Sequence, residues 1–255
     1  METAYNGYLI DLDGTMYKGK EPIKEAPGFI RRLKEKGIPF LFLTNNSTST
    51  PEEVAIRLQA QFNIPAKAED IYTSSLAAAD YVKSLEGNRV YVVGEKGLRN
   101  ALTDAGCDLV KTDIDHVVVG LDTQLTYETC VTASLAIQEG ASFIATNKDT
   151  NLPNERGLVP GAGSIVALIE KSTRVEPVFV GKPESFIMAS ALKKLGLEKS
   201  EVLMVGDNYE TDILAGINNG VDTLLVLTGF TRKEDLTMLS EQPTHTVETL
   251  DDWSV

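Results

Sequence analysis

The chain has 255 residues, of which 24 are basic and 37 are acidic, giving a formal net charge of −13. This length allows one large domain or two modest ones with a sizeable core. The negative charge argues against nucleic acid and anionic membranes as main partners, and no apolar run approaches the roughly 18 residues of a membrane-spanning helix.

The few cysteines and histidines predict neither a disulfide framework nor a zinc site. Cys107 and Cys130 form no CxxC pair, so we expect two buried or half-buried thiols. His116 and His245 are too isolated for a zinc site or a histidine-based triad. His116 opens an apolar run, which favours a structural role. No basic and then apolar leader opens the chain, which predicts a cytoplasmic location.

The first predicted strand, Tyr8-Leu9-Ile10, runs into two carboxylates, Asp11 and Asp13. In an extended chain, residues two apart point to the same side. Two neighbouring anions repel unless a cation lies between them, and Mg²⁺ is the usual cation at phosphate sites. An ordinary Asp-Gly turn is the alternative, whereas a calcium loop is disfavoured because Gly14 comes too early.

Helices and strands then alternate along the chain. Helices are predicted over residues 26–36, 50–62, 74–85, a stretch that ends at 105, 126–139, 164–171, 185–195 and 210–219. Strands are predicted over residues 38–44, 89–93, 116–119, 142–146, 177–180, 201–205 and 223–227. Residues 147–163 are predicted as a polar loop rich in glycine and proline, and the polar tail from residue 241 has no clear pattern. This alternation predicts an α/β fold built of βαβ units around a mostly parallel sheet.

Polar groups collect directly after several of these strands, where ligands bind in such folds. The groups are Asp11 and Asp13, then Thr44-Asn45-Asn46, then Lys182, and then Asp207. The middle strands lack this pattern, since they lead into Gly94-Glu95 and Gly120-Leu121-Asp122. The middle of the chain is therefore predicted to be a separate module inserted into the first.

Each of these residues also has an ordinary structural interpretation. Lys182 could lie in a turn before Pro183, and Asp207 could form an Asx turn. Thr44 and Asn45 could belong to a helix-capping loop. Asp212 could favour a helix N-terminus through the helix dipole. The joint pattern, rather than any single residue, favours a functional site.

The chain resembles the haloacid dehalogenase superfamily over nearly its whole length. The resemblance rests on four segments in the order of the family's motifs: Asp11-Leu12-Asp13-Gly14-Thr15, Leu43-Thr44-Asn45-Asn46, Gly181-Lys182-Pro183, and Gly206-Asp207 followed by Asp212. Thr-Asn-Asn, Val-Gly-Lys-Pro and the long insertion between them are similar to the NagD/p-nitrophenylphosphatase subfamily. The resemblance implies a Rossmann-like doubly wound core, residues 1–77 and 178–255, and an inserted α/β cap of the larger (C2) type, residues 78–177.

The resemblance also implies residue roles. Asp11 would be the nucleophile that becomes an aspartyl-phosphate, and Asp13 the general acid and base. Thr44, Asn45 and Asn46 would bind the phosphoryl group or the substrate. Such a division has a physical basis, because one carboxylate must stay ionised to attack while its neighbour starts with a proton.

For the cofactor, the resemblance implies Mg²⁺. Its ligands would be Asp11, the backbone carbonyl of Asp13, and Asp207. Asp212 would orient a metal-bound water rather than bind directly. Lys182 would supply further positive charge to the phosphoryl group.

The inserted cap would exclude water and contact the leaving group. Its predicted substrate-facing segments are residues 147–153 and 160–164. Gly161-Ala162-Gly163 precedes a helix and could cradle an anion, but the sequence favours a structural turn there. The family also implies a homodimer through the cap.

The predicted enzyme is a phosphatase that hydrolyses small phosphorylated metabolites, either sugar phosphates or nucleoside monophosphates. The alternatives are a phosphomutase of the same superfamily and a phosphoacceptor signalling domain. Asp13 argues against signalling, because a group that activates water shortens the life of an aspartyl-phosphate. A dehalogenase is disfavoured, because that reaction needs neither Asp13 nor a metal.

Overall fold

The computed structural model describes residues 5–154 and 156–255. The described residues form two compact units. Those in Met1–Thr44, Pro51–Tyr72 and Lys182–Val255 belong to the first, and those in Asn45–Thr50 and Thr73–Gly181 to the second. The predicted insertion, residues 78–177, thus lies within the second unit. That unit also includes residues 73–77, residues 178–181 and the short segment Asn45–Thr50, all of which the predicted bounds assigned to the core.

Helices and strands alternate along the described chain. The strands are β1 (Gly7–Ile10), β2 (Tyr17–Lys18), β3 (Glu21–Pro22), β4 (Phe40–Thr44), β5 (Ile71–Thr73), β6 (Arg89–Val93), β7 (Asp108–Leu109), β8 (His116–Val119), β9 (Ser142–Ala145), β10 (Asn151–Asn154), β11 (Gly157–Pro160), β12 (Val178–Phe179), β13 (Val202–Gly206), β14 (Asp222–Val226) and β15 (His245–Val247). The helices are α1 (Ala26–Glu35), α2 (Pro51–Phe62), α3 (Ser74–Lys83), α4 (Lys96–Asp104), α5 (Tyr127–Gln138), α6 (Ala162–Thr173), α7 (Ser185–Leu195) and α8 (Leu214–Asn219).

The first unit is built on a six-stranded sheet in the order β15-β14-β13-β1-β4-β5. β1 pairs in parallel with β4 on one side and with β13 on the other. Every residue of β1, β4 and β13 is buried, which explains why these strands read as apolar runs without alternation. The strand order reverses beside β1, the place where doubly wound sheets bind ligands.

The second unit has its own parallel sheet, in the order β12-β9-β8-β6-β7. Its core packs the buried faces of α5 and α6 against β8 and β9, with Val117, Val119, Phe143, Val166 and Ile169 among the buried side chains. The predicted mostly parallel α/β fold is therefore confirmed for both units.

The structure corrects the sequence analysis in several places. It adds the short strands β2, β3, β5 and β7, which were not predicted. The predicted loop over residues 147–163 contains the antiparallel pair β10–β11, and α6 begins at Ala162 rather than at Ser164. The tail contributes β15, which pairs in parallel with β14. The helix predicted from Glu210 begins as a π-helical turn, Tyr209–Ile213, before α8. The added strands have only two to four residues, too few to show a period.

The remaining sequence predictions concern single side chains. Cys107 and Cys130 are buried free thiols, as expected. His116 is buried in β8, and neither ring nitrogen has a hydrogen-bond partner among the residues described. Nε2 of His245 lies 2.9 Å from the Tyr5 hydroxyl. In the part of the chain that the structure covers, no helix is both long enough and apolar enough to cross a bilayer.

Candidate active site

The site lies at the carboxyl ends of β1 and β13. These two strands are paired in register from Gly7 with Val202 to Ile10 with Val205. The amide of Asp11 continues the pairing by donating to the carbonyl of Val205 at 2.9 Å. Asp207 directly follows β13, so the parallel pairing places both carboxylates at the same edge of the sheet.

Three carboxylates meet at this edge: Asp11, Asp207 and Asp212. One oxygen of each lies within 4.8 Å of the others. Their exposed fractions are 9%, 2% and 1%. Asp212 reaches the group from the π-helical turn Tyr209–Ile213, a rare geometry that often occurs at functional sites.

Lys182 is the cation of this group. Its Nζ lies 2.5 Å from Oδ1 of Asp11 and 2.7 Å from Oδ1 of Asp212. The side chain is 2% exposed, so the contact is shielded from water. Three buried carboxylates against one ammonium group leave the cluster short of positive charge when all are ionised.

Hydrogen bonds fix the orientation of Asp207. Oδ1 accepts from the hydroxyl of Thr15 at 3.1 Å, and Oδ2 accepts from the backbone amide of Phe230 at 2.6 Å. The amide of Thr231 donates to the carbonyl of Asp207 at 3.0 Å. A Cβ at Gly229 would lie 1.9 Å from Oδ2 of Asp207, so only glycine allows the loop after β14 to approach this carboxylate.

Burial and neighbouring charges shift the pKa values of the clustered groups. Burial raises the pKa of Asp11 well above its usual value, and the charge of Asp212 raises it further against the opposing effect of Lys182. Burial and then the charge of Asp212 raise the pKa of Asp207 to about 7. For Lys182, burial acts to lower the pKa, but the charges of Asp11 and Asp212 prevail and raise it.

Asp13 stands apart from the three clustered carboxylates. Its side chain is exposed and is not one of the grouped ligand atoms among the described residues. Its Oδ1 accepts a long hydrogen bond of 3.4 Å from the amide of Gly19. Desolvation raises the pKa of Asp13, while the Gly19 amide and the charge of Arg57 act to lower it.

The second predicted motif is divided between the two units. Thr44 ends β4 in the first unit and is buried. Asn45 belongs to the second unit, where its Nδ2 donates to Oδ1 of Asp149 at 3.2 Å. Oδ1 of Asn46 accepts from the amides of Thr48 at 3.1 Å and Ser49 at 3.0 Å, as in a capping turn. The structure therefore groups Asp11, Lys182, Asp207 and Asp212, and the phosphate-binding roles of Asn45 and Asn46 stay predictions.

The Gly161-Ala162-Gly163 segment has its amides engaged within the second unit. The amide of Gly161 donates to the carbonyl of Thr150, and that of Gly163 donates to the carbonyl of Asp149, each at 2.9 Å. Amides that are already hydrogen-bonded do not offer an anion site, which agrees with the structural turn that the sequence favours.

Two contributors to the site had no predicted role. Thr15 stands next to Gly14 in the first motif, where its hydroxyl could have been suspected. The Phe230 contribution comes from a backbone amide, which any non-proline residue provides, so no sequence signal marks it.

The sequence matches models of known protein families over the segments that carry the clustered residues. The sequence model of the haloacid dehalogenase-like hydrolase family matches residues 8–108. The sequence model of a related family, described as HAD hydrolase-like, matches residues 179–253. The chain belongs to the haloacid dehalogenase-like hydrolases.

Similar proteins place the chain more narrowly. It is 52% identical to 5'-nucleotidase YutF of Bacillus subtilis over 98% of each chain. It is 50% identical to an acid sugar phosphatase of Staphylococcus aureus (strain USA300) over 97% of this chain and 96% of that protein. Its structure matches NagD from E. coli K-12 with a TM-score of 0.94 and 32% identity over 99% of each chain. The NagD/p-nitrophenylphosphatase resemblance is thereby confirmed, and the chain is an enzyme, a phosphatase.

Proposed function

We propose that this phosphatase is a Mg²⁺-dependent phosphomonoester hydrolase that works through an aspartyl-phosphate on Asp11. The observation that carries the proposal is the buried group of Asp11, Asp207, Asp212 and Lys182 at the carboxyl edge of the first sheet. Three buried carboxylates with one counter-ion are costly to keep unless a further cation balances them.

The donor set fits magnesium. Every grouped ligand atom is a carboxylate oxygen, the type of ligand that hard divalent cations prefer. Asp11, Asp207 and the backbone carbonyl of Asp13 would hold the ion. Asp212 would orient a bound water, or would bind directly, since its carboxylate is within reach of the group. When bound, the ion supplies positive charge to the phosphoryl oxygens.

The chain's own residues divide the reaction into two displacements. In the first, a carboxylate oxygen of Asp11 bonds to phosphorus, the ester oxygen leaves with its electron pair, and Asp13 gives that oxygen a proton. In the second, Asp13 takes a proton from water, whose oxygen bonds to phosphorus and releases the carboxylate of Asp11. Lys182 offsets the negative charge of the transferring group.

Thr44, Asn45 and Asn46 would donate hydrogen bonds to the phosphoryl oxygens or the substrate. The second unit would act as the predicted cap, residues 78–177, with residues 147–153 and 160–164 as the parts that select the leaving group. A homodimer through the cap and a cytoplasmic location also stay predictions.

For the substrate we propose small phosphorylated metabolites. One similar protein is named a 5'-nucleotidase and another an acid sugar phosphatase. Both names describe phosphomonoesters of small hydroxyl compounds, which fits the predicted choice between nucleoside monophosphates and sugar phosphates.

A release assay tests the proposal. Purified protein is incubated with p-nitrophenyl phosphate, nucleoside monophosphates and sugar phosphates, with and without Mg²⁺, and free phosphate is measured. We expect steady turnover that needs Mg²⁺ and disappears in Asp11→Asn. A phosphoprotein that persists without turnover would favour the signalling alternative. Transfer of phosphate between positions of one sugar without release would favour the phosphomutase.

A further inference from the structure

A short hairpin follows Asp13 and carries little packing of its own. It consists of β2 and β3, which pair antiparallel through Tyr17 with Pro22 and Lys18 with Glu21. The base is anchored, since the amide of Gly14 donates to the carbonyl of Tyr17 at 2.6 Å and Tyr17 is buried. From Lys18 to Pro22 the hairpin is exposed. Two paired residues on each side do not stabilise a hairpin in water by themselves.

Arg57 of α2 holds this hairpin in place. Its Nη2 donates to the carbonyl of Gly19 at 2.7 Å. Its guanidinium lies over the ring of Tyr17, 4.5 Å from the centroid, and 5.6 Å from the centroid of Phe62. Those two rings stack with centroids 4.5 Å apart and an angle of 7° between their planes. One side chain therefore binds both the base and the turn of the hairpin.

Gly19 connects this contact to Asp13. While the carbonyl of Gly19 accepts from Arg57, its amide donates to Oδ1 of Asp13. Gly19 has φ of +56°, the left-handed conformation that glycine adopts without strain. The carboxylate of Asp13 has this one hydrogen bond among those that the structure records for it. Its orientation therefore depends on where the turn is held.

We propose that Arg57 is a positioning residue, which fixes the hairpin so that the carboxyl group of Asp13 meets the leaving oxygen of the substrate. The inference rests on the proposed function, in which Asp13 protonates that oxygen. Arginine suits the task because a flat guanidinium can lie over an aromatic ring while its N–H groups donate outward in the plane of the guanidinium.

The dependence of turnover on the leaving group distinguishes positioning from a general structural role. An aryl ester such as p-nitrophenyl phosphate expels a stable anion and gains little from a proton. An alkyl ester expels a poor leaving group and needs the proton. Misplacing Asp13 therefore lowers kcat/KM selectively for alkyl esters, because kcat/KM reports the steps up to departure of the leaving group and does not include hydrolysis of the aspartyl-phosphate that both substrates share. Damage to the fold lowers kcat/KM of both substrates by the same factor.

The test compares kcat/KM of Arg57→Met on p-nitrophenyl phosphate with kcat/KM on an alkyl phosphate that the wild type hydrolyses. Methionine keeps an unbranched apolar stem but loses the charge and the donors. We expect a loss of about tenfold on the alkyl ester and less than about threefold on the aryl ester, a fraction of what a general acid contributes. Equal losses on both esters, or no loss, would overturn the proposal.

Three further variants complete the design. Arg57→Lys keeps the charge without the flat stacking surface, and it should show the same selective loss even if Arg57→Met does not fold. Arg31→Ala removes an exposed arginine of α1 and should leave both rates unchanged. Asp13→Asn should show a larger selective loss than Arg57→Met. If Asp13→Asn lowers kcat/KM of both esters equally, the assigned role of Asp13 as the acid for the leaving oxygen fails and the inference fails with it. If only the arginine variants lack selectivity, the inference alone fails.

Discussion

Acidic residues follow parallel strands in both units of this protein, directly in the first unit and two or three residues later in the second, but among the described residues only the first unit buries them as a cluster. In the first unit, Asp11, Asp207 and Asp212 are buried together around Lys182. In the second unit, the acids after β6 and β8 are half-buried and separately satisfied. Glu95 accepts from the amide and hydroxyl of Thr123, and Asp122 accepts from the amide of Gln124. The same architecture thus supports a costly charge cluster at one sheet edge and ordinary loops at the other.

This difference in burial indicates that the charge cluster of the first unit lowers the free energy of unfolding, whereas the acids of the second unit do not. Hydrogen-bonded acids near the surface cost a protein little, whereas buried like charges destabilise the fold that holds them. Neutralising substitutions should therefore have opposite effects on activity and stability in the first unit and almost no effect in the second.

The largest effect is expected for Asp207→Asn. An amide can still accept from the Phe230 amide, while its NH₂ group donates to the Thr15 hydroxyl, so the fold tolerates it. Turnover should fall by about 10³-fold or more, because a charged metal ligand is lost. With EDTA present at pH 8, the variant should be more stable than the wild type by about 2 kcal/mol. Circular dichroism melts and phosphate release measure the two effects.

The gain in stability should depend on pH in a defined direction. The pKa of Asp207 is raised to about 7 in the folded protein. The folded state therefore holds this proton more tightly than the unfolded state, and the penalty grows as pH rises from about 4 to 7. Asp207→Asn should gain most above pH 7 and nothing near pH 4. A variant that is less stable than the wild type at every pH would contradict the charge-crowding account.

Magnesium itself should give the next largest effect. An ion that binds only the folded state at a concentration about 100-fold above its dissociation constant stabilises by about 2.7 kcal/mol. We expect added Mg²⁺ to raise the melting temperature of the wild type by several degrees, and that of Asp207→Asn by about one degree or less. Equal shifts in both proteins would show that the ion binds elsewhere.

In the second unit, Asn147→Ala should lower the free energy of unfolding. No relief of charge repulsion offsets this loss, in contrast to Asp207→Asn. Its buried Nδ2 donates to the carbonyl of Asn45 at 2.9 Å, and its Oδ1 accepts from the amide of Asp149 at 3.1 Å. Truncation removes an acceptor of the Asp149 amide and one of the donors to the Asn45 carbonyl, which also accepts from the Ser74 hydroxyl at 2.7 Å, and it should cost about 2 kcal/mol in urea unfolding. The exposed Asn151→Ala is the matched control and should change stability by less than about 0.5 kcal/mol. Equal effects of the two variants would count against a role for this network.

The smallest effect is expected for Glu95→Gln. The amide oxygen of glutamine can accept both hydrogen bonds from Thr123. Stability should stay within about 0.5 kcal/mol and turnover should stay at the wild-type level. A substantial gain in stability would mean that strand-end acids in the second unit are strained as well.

The sequence predicted the parts of this molecule that long apolar runs and charged residues encode. β6, β8 and α7 have the predicted bounds, and Asp11 and Asp207 come together as placement at strand ends predicts. Lys182 follows β12 of the second sheet and Asp212 lies in a π-helical turn, so strand pairing does not account for these two. Strand ends predict proximity because parallel pairing carries all carboxyl ends to one edge.

The parts that could not be predicted depend on contacts between distant residues. β15 is a three-residue edge strand whose existence depends on pairing with β14. Arg57 of α2 donates a hydrogen bond to the carbonyl of Gly19 in the hairpin after Asp13, and no rule of sequence spacing predicts this contact. The assignment of Asn45–Thr50 to the second unit likewise arises from contacts that sequence distance conceals, such as the Thr48 carbonyl accepting from the Gly97 amide at 2.8 Å.

The central claim is that Asp11 accepts the phosphoryl group, and chemical trapping tests it directly. The enzyme is quenched in acid during turnover, the acyl phosphate is reduced with borohydride, and the peptides are mapped by mass spectrometry. We predict a reduced side chain at Asp11 in the wild type and none in Asp11→Asn. Modification at a different carboxylate, or full phosphate release by Asp11→Asn, would contradict the account.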